Sequence, residues 1–228
     1  MRAERWVRGL VIAALVLAVS GLIGQLLVLY TRDFLFRDAF AQLTDLNGET
    51  NLPATFSSLL LLIAALLLSF VASAQRKRSD QFARAWRVLA GVFYYLALDE
   101  NAMFDERTMN IVRQIVPAHG LLHYSWVIPY GIAGIILLLF IRKLIWTLPP
   151  IIRLQFIIAG FCYVMGAMGM EMFEGLLSEH KGGELPMQLL IFVEELLEML
   201  GVILFISAIL RFIRTTLPAV SFKTVLDR

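Results

Sequence analysis

The chain has 228 residues, of which 59% are hydrophobic, with a mean hydropathy of +0.77 and a formal net charge of +2. That apolar share lies well above the roughly 45–50% of soluble domains and excludes an ordinary soluble globular protein. The single cysteine, Cys162, excludes an internal disulfide. No glycine-rich phosphate loop and no basic surface interleaved with aromatics points to a nucleotide or a nucleic-acid partner.

About 20 apolar residues cross a hydrocarbon core near 30 Å thick. Six such runs are predicted in chain order, at 6–30, 52–74, 86–104, 126–141, 154–174 and 186–210. The first follows Arg2, Arg5 and Arg8 in the manner of a secretory signal. It continues past Ala18-Val19-Ser20 to Tyr30, too long for a cleaved apolar region, and reads as a retained anchor. Between the first two spans, Phe34, Phe36, Phe40, Leu43 and Leu46 alternate with Arg32, Asp33, Arg37 and Asp38, which predicts a short interfacial helix. The second tip, 105–125, carries an apolar stripe at Met109, Val112, Ile115 and Val116 that Pro117 ends, and the third, 178–185, turns at Gly182-Gly183. Gly160, Gly166 and Gly169 read as a close-packing face of the fifth span. Tyr94, Tyr95, Trp126 and Tyr130 read as interface belts or core lining. The expected fold class is all-α, a polytopic six-transmembrane-helix bundle with short interfacial helices at its extracytoplasmic tips. It is expected to form one integral membrane domain over 1–228.

Charge sets the expected orientation. Fifteen of the twenty Lys and Arg residues fall at the N-terminus, in the loop around Arg76-Lys77-Arg78, in the turn from Arg142 to Arg153 and in the C-terminal tail. Only Glu4, Asp80 and Asp227 accompany them, whereas the opposite side holds five bases and fifteen acids. Basic residues stay inside, so both termini are expected in the cytoplasm of a multi-pass bacterial inner-membrane protein. Anionic lipid headgroups account for the Arg76-Lys77-Arg78 cluster.

The chemistry is expected near the outer face, where acids interrupt apolar runs. Glu171 and Glu174 are three apart, Glu195 and Glu198 three apart, and Glu194 and Glu198 four apart, so each pair shares a helix face. Asp99 and Glu106, seven apart, align as well if the third span stays helical. Glu198 lies about 10 Å inside the apolar layer at 1.5 Å per residue. An acid at such depth is costly and points to function. His119-Gly-Leu-Leu-His123 has the spacing that brings two imidazoles to one metal on a helix. Carboxylates from several helices joined by histidine resemble the recipe of bundle-core dinuclear sites. Two like charges at 4 Å repel by about 4 kcal/mol at an effective dielectric of 20, so such a cluster needs shared protons or a bound cation. The expected metal ligands are Glu171, Glu174, Glu195, Glu198, His119 and His123, with Asp99 and Glu106 as catalytic residues. The expected cofactor is a divalent metal ion, with Zn, Fe, Mn and Ca all open.

Leu98-Asp99-Glu100, followed by Asp105-Glu106 and later by Glu195-Leu-Leu-Glu198-Met-Leu-Gly201, resembles a group of uncharacterised bacterial multi-span membrane proteins. In that group a histidine is expected where this chain has Asp105, and the resemblance implies no established activity. Three functions are open on the sequence. The leading one is a metal-dependent membrane enzyme acting on a lipid or quinone-like substrate. The others are a proton or divalent-cation transporter or channel, and an accessory subunit of a larger membrane complex. Membrane lipids are the expected partners, with other membrane proteins or further copies of the chain beside them.

Overall fold

The structure is a computed structural model that describes residues 2–48, 50–115, 119–180 and 183–217, without the side chains of residues 2, 3, 105 and 106. It is 85% helical, with no strand among the described residues. Among the described residues nine α-helices follow one another: α1 (Arg2–Tyr30), α2 (Arg37–Thr44), α3 (Leu52–Lys77), α4 (Ala83–Ala102), α5 (Phe104–Val112), α6 (Val127–Thr147), α7 (Pro150–Val164), α8 (Glu171–Glu179) and α9 (Glu184–Thr216). A 3-10 turn, Gly120–Leu122, precedes α6, and a π-helical segment, Met165–Met170, joins α7 to α8.

Among the described residues, four helical stretches are long and apolar enough to cross a membrane: Glu4–Tyr30, Leu52–Lys77, Val127–Thr147 and Pro150–Glu179. The other two long helices, α4 and α9, stand outside that group; α4 carries Arg84, Arg87, Asp99 and Glu100, and α9 four glutamates and two arginines.

Local chemistry explains most helix ends. Asn51 caps α3 by accepting a hydrogen bond from the Ala54 backbone N–H at 3.1 Å, with Pro53 in the first turn where its missing N–H costs nothing. Pro150 opens α7 in the same way. The end of α4 follows a different rule. Met103 takes a left-handed conformation (φ 53°) and its N–H bonds the Asp99 carbonyl at 3.0 Å. A non-glycine residue is uncommon there, and the kink corrects the expected continuous span through Phe104. The seven-residue alignment of Asp99 with Glu106 fails with it, because the two residues now belong to different helices.

α9, with 33 residues, is the common neighbour: α1, α3, α7, α8 and the π segment all pack on it. α3 and α4 form the most extensive pair, tied by the Ser58 hydroxyl donating to the Ala97 carbonyl at 2.7 Å. One buried cluster draws side chains from α1, α3, α4, α6, α7 and α9. Its aromatic part stacks Trp86 on Phe212 (5.0 Å between ring centres) and Phe93 on Phe205 (4.7 Å). This cluster lies toward the basic end, where the Arg78 guanidinium donates to the Thr216 carbonyl at 3.0 Å and closes the end of α9. α6 meets α4 and α7 at few points and exposes Ile132, Ile135, Ile136, Leu138 and Leu139. The short helix expected in the first tip is present as α2, which packs against α1, while Phe34, Leu35 and Phe36 before it are exposed.

Candidate functional site: an acidic cavity between helices

A cavity of about 1250 Å³ opens between α4 on one side and α6 and α7 on the other, with α9 also lining it. Its upper part collects Asp99 and Glu100 from α4, Glu171 and Glu174 from α8, and Glu194, Glu195 and Glu198 from α9. Among the described residues no Lys, Arg or His lines it. Toward the basic end the lining turns apolar, with Val88, Leu138, Ile145 and Phe156. The loose packing of α6 is what leaves this space.

Backbone geometry aims the acids. The π segment Met165–Met170 widens the helix and changes the phase between α7 and α8, as π turns at functional sites commonly do. Glu171 and Glu174, in the first turn of α8, then line the cavity. Gly166 lets α9 come close at that point: a Cβ there would sit 2.7 Å from Glu198 Cγ and 2.9 Å from the Glu194 carbonyl oxygen. Gly201 does the same from the other helix, 2.8 Å from the Tyr163 backbone nitrogen. The expected glycine face is thereby corrected. Gly160 meets nothing within 4 Å and Gly169 meets only Met165, so the close approach rests on Gly166 and Gly201.

Hydrogen bonds link the acids to aromatic side chains. The Trp126 indole N–H donates to Glu171 Oε1 at 2.9 Å. The Tyr130 hydroxyl donates to Asp99 Oδ1 at 3.3 Å and is also hydrogen-bonded to the Tyr95 hydroxyl. Glu174 is 3% exposed and its carboxyl reaches that of Glu194 at hydrogen-bonding range, while its Oε1 has no partner. Two carboxyl groups in contact require a proton or a cation between them. At the rim, burial and the nearby Glu174 and Glu171 push the Tyr124 phenol above its ordinary range.

Of the residues singled out by sequence, Asp99, Glu171, Glu174, Glu195 and Glu198 share the cavity. Glu106 sits on α5, and its side chain lies outside the described residues. His119 and His123 do not line the cavity. Their Nδ1 atoms instead lie 3.7 and 3.8 Å from Glu179 Oε1 on α8, an oxygen that also accepts the Gly120 N–H at 2.7 Å. Gly120 has φ +60°, a conformation glycine adopts at no steric penalty. Among the described residues no group of three or more His, Cys, Asp or Glu side chains converges closely enough to hold a metal ion. Glu194 is the α9 partner of Glu174, a role the spacing alone did not assign. Trp126 and Tyr130, read as belts or lining, bond to Glu171 and Asp99, and Tyr95 bonds to the Tyr130 hydroxyl; the four-residue steps from Tyr95 to Asp99 and from Trp126 to Tyr130 are the signal available in the sequence.

These features define an all-helical protein with helices fit to cross a membrane and an acidic cavity among them. The chain belongs to a family described as a domain of unknown function, DUF8692, which matches residues 9–212. No curated protein and no solved structure matches it.

Proposed function

We propose that the chain is a six-span bacterial inner-membrane protein, both termini cytoplasmic, that binds a membrane amphiphile in the acidic cavity and exchanges protons with it. The observation that carries this reading is the union, in one space of about 1250 Å³, of carboxyl groups from α4, α8 and α9 with an apolar groove below them. α4 and α9 count as spans because their acids line this space, and intramembrane acids face protein or a water-filled cavity. The distribution of Lys and Arg supports the orientation.

The substrate class is a lipid or quinone-like molecule whose head meets the carboxyls while its chain lies against Val88, Leu138 and Ile145. Asp99, oriented by Tyr130, is the base that the geometry favours, and Glu171, held by Trp126, is a second proton-exchanging group. A divalent ion on Glu171, Glu174, Glu195 and Glu198 would add Lewis acidity, and those side chains would have to swing together to bind it. His119 and His123 would serve such an ion only by leaving Glu179. A transporter of protons or cations would use the same acids but also needs polar groups toward the basic end, where the lining is apolar.

Gly134 lines the groove and a Cβ there meets nothing within 4 Å, so the bulk of Gly134→Phe has an open point of entry into that space. Native mass spectrometry of the full chain released from nanodiscs should show one retained amphiphile per chain, absent in Gly134→Phe. No adduct in the wild type, or one that survives the substitution, would reject the reading.

A further inference from the structure

The cavity's chemistry restricts what its ligand's head can be. Seven carboxyl-bearing residues line the upper part and, among the described residues, no basic side chain does. An anionic head would enter against like charge with nothing to balance it. Glu174 adds an independent sign of a missing donor: the residue is only 3% exposed, its carboxyl meets that of Glu194, and Oε1 has no partner. A buried acceptor left unsatisfied is costly, and a donor brought by a ligand removes that cost. The rings of Trp126 and Tyr130, 4.9 Å apart and nearly perpendicular, line the same cavity, bonded to Glu171 and Asp99. Aromatic faces beside carboxylates are the surroundings that favour an ammonium group over a neutral hydroxyl. Below, α4 continues from Asp99 to Val88, about 16 Å of groove at 1.5 Å per residue, lined by apolar side chains and flanked by the loosely packed α6.

We infer that the ligand is an amphiphile with a primary ammonium head, which donates among Glu174, Glu194 and the Trp126–Tyr130 pair, and an alkyl chain in the groove between α4 and α6. This rests on the reading of the cavity as a binding site and names the ligand class within it. A single-chain lipophilic amine and an aminophospholipid present the same ammonium chemistry, and the cavity recognises that shared group.

The test uses the full chain in phosphatidylcholine nanodiscs and three radiolabelled probes of equal chain length, tetradecylamine, tetradecanol and tetradecanoate, with empty nanodiscs subtracted. The amine should bind saturably, one per chain, at least tenfold more tightly than the alcohol, with the carboxylate weakest. Glu174→Gln combined with Glu194→Gln should weaken amine binding at least tenfold, while Glu184→Gln, an exposed residue outside the cavity, should leave it unchanged. Competition when half of the phosphatidylcholine is replaced by phosphatidylethanolamine would identify the lipid headgroup as the ammonium source. Amine binding indifferent to that replacement would identify a free amine. Equal binding of the amine and the alcohol, or preference for the carboxylate, overturns the inference yet leaves the cavity as a site for apolar chains. Absence of saturable binding by any probe overturns both. The amine-to-alcohol ratio is measured on the wild type, so it decides the matter even if the double variant does not fold.

Discussion

Two halves of α9 meet opposite demands. From Val202 to Phe212 most of the helix is buried, with Ile203, Ile206, Ala208 and Ile209 no more than 2% exposed and only Arg211 fully open. From Glu194 to Glu198 the same helix is half-buried and faces the acidic cavity. Gly201 stands at the boundary. The packed half fixes where the helices lie, and the half facing the cavity carries carboxyls that a close-packed apolar interior would not tolerate. In this molecule stability and chemistry are separated along one helix rather than between domains.

The largest effect that would sharpen this contrast is expected in the packed half. Ile209→Ala should destabilise the protein by about 2–5 kcal/mol, because the surrounding helices cannot collapse onto the lost volume. Reversible unfolding in mixed micelles measures it, and a change below about 1 kcal/mol would mean that this half is not close-packed. Gly201→Ala comes next. Its Cβ would press on the Tyr163 backbone, so an overpacking penalty of about 1–3 kcal/mol should outweigh a helix-propensity gain of up to about 1 kcal/mol. Gly91 on α4 lines the cavity with nothing within 4 Å of a Cβ, so Gly91→Ala should instead stabilise by up to about 1 kcal/mol. Equal effects at the two glycines would break the comparison. The smallest shift belongs to Tyr130→Phe, which removes the links to Asp99 and Tyr95. About 0.5–1.5 kcal/mol should be lost, together with most proton exchange at Asp99; unchanged ligand turnover in that variant would free Asp99 of its assigned role.

Elements whose signal is local were legible in the sequence. The expected spans 6–30 and 52–74 lie within α1 and α3, both long and apolar enough to cross a membrane, since unbroken apolar runs leave no other way to satisfy the backbone. The acids of Glu171-x-x-Glu174 and Glu194-Glu195-x-x-Glu198 were legible as a shared site for the same reason. Contacts made only in three dimensions were not legible. No glycine or proline announced the break at Met103, which the sequence alone would leave helical. The π segment has no composition of its own beyond two glycines and three methionines. His119 and His123 read as a pair looking for a metal, yet their partner is Glu179, more than fifty residues away in sequence. The aromatic residues looked like membrane belts because amphipathic rings suit both an interface and a polar cavity.

The central claim is that α4, α8 and α9 gather their carboxyls around a groove that holds an amphiphile. A cryo-electron microscopy map of the full chain in lipid nanodiscs, with a bound antibody fragment for size, addresses it directly. The account predicts elongated density between α4 and α6, its polar end against Glu174 and Glu194 and its apolar end near Val88 and Ile145. A map in which α6 lies flush on α4 with the groove closed, or in which Glu194, Glu195 and Glu198 turn toward lipid, would contradict it.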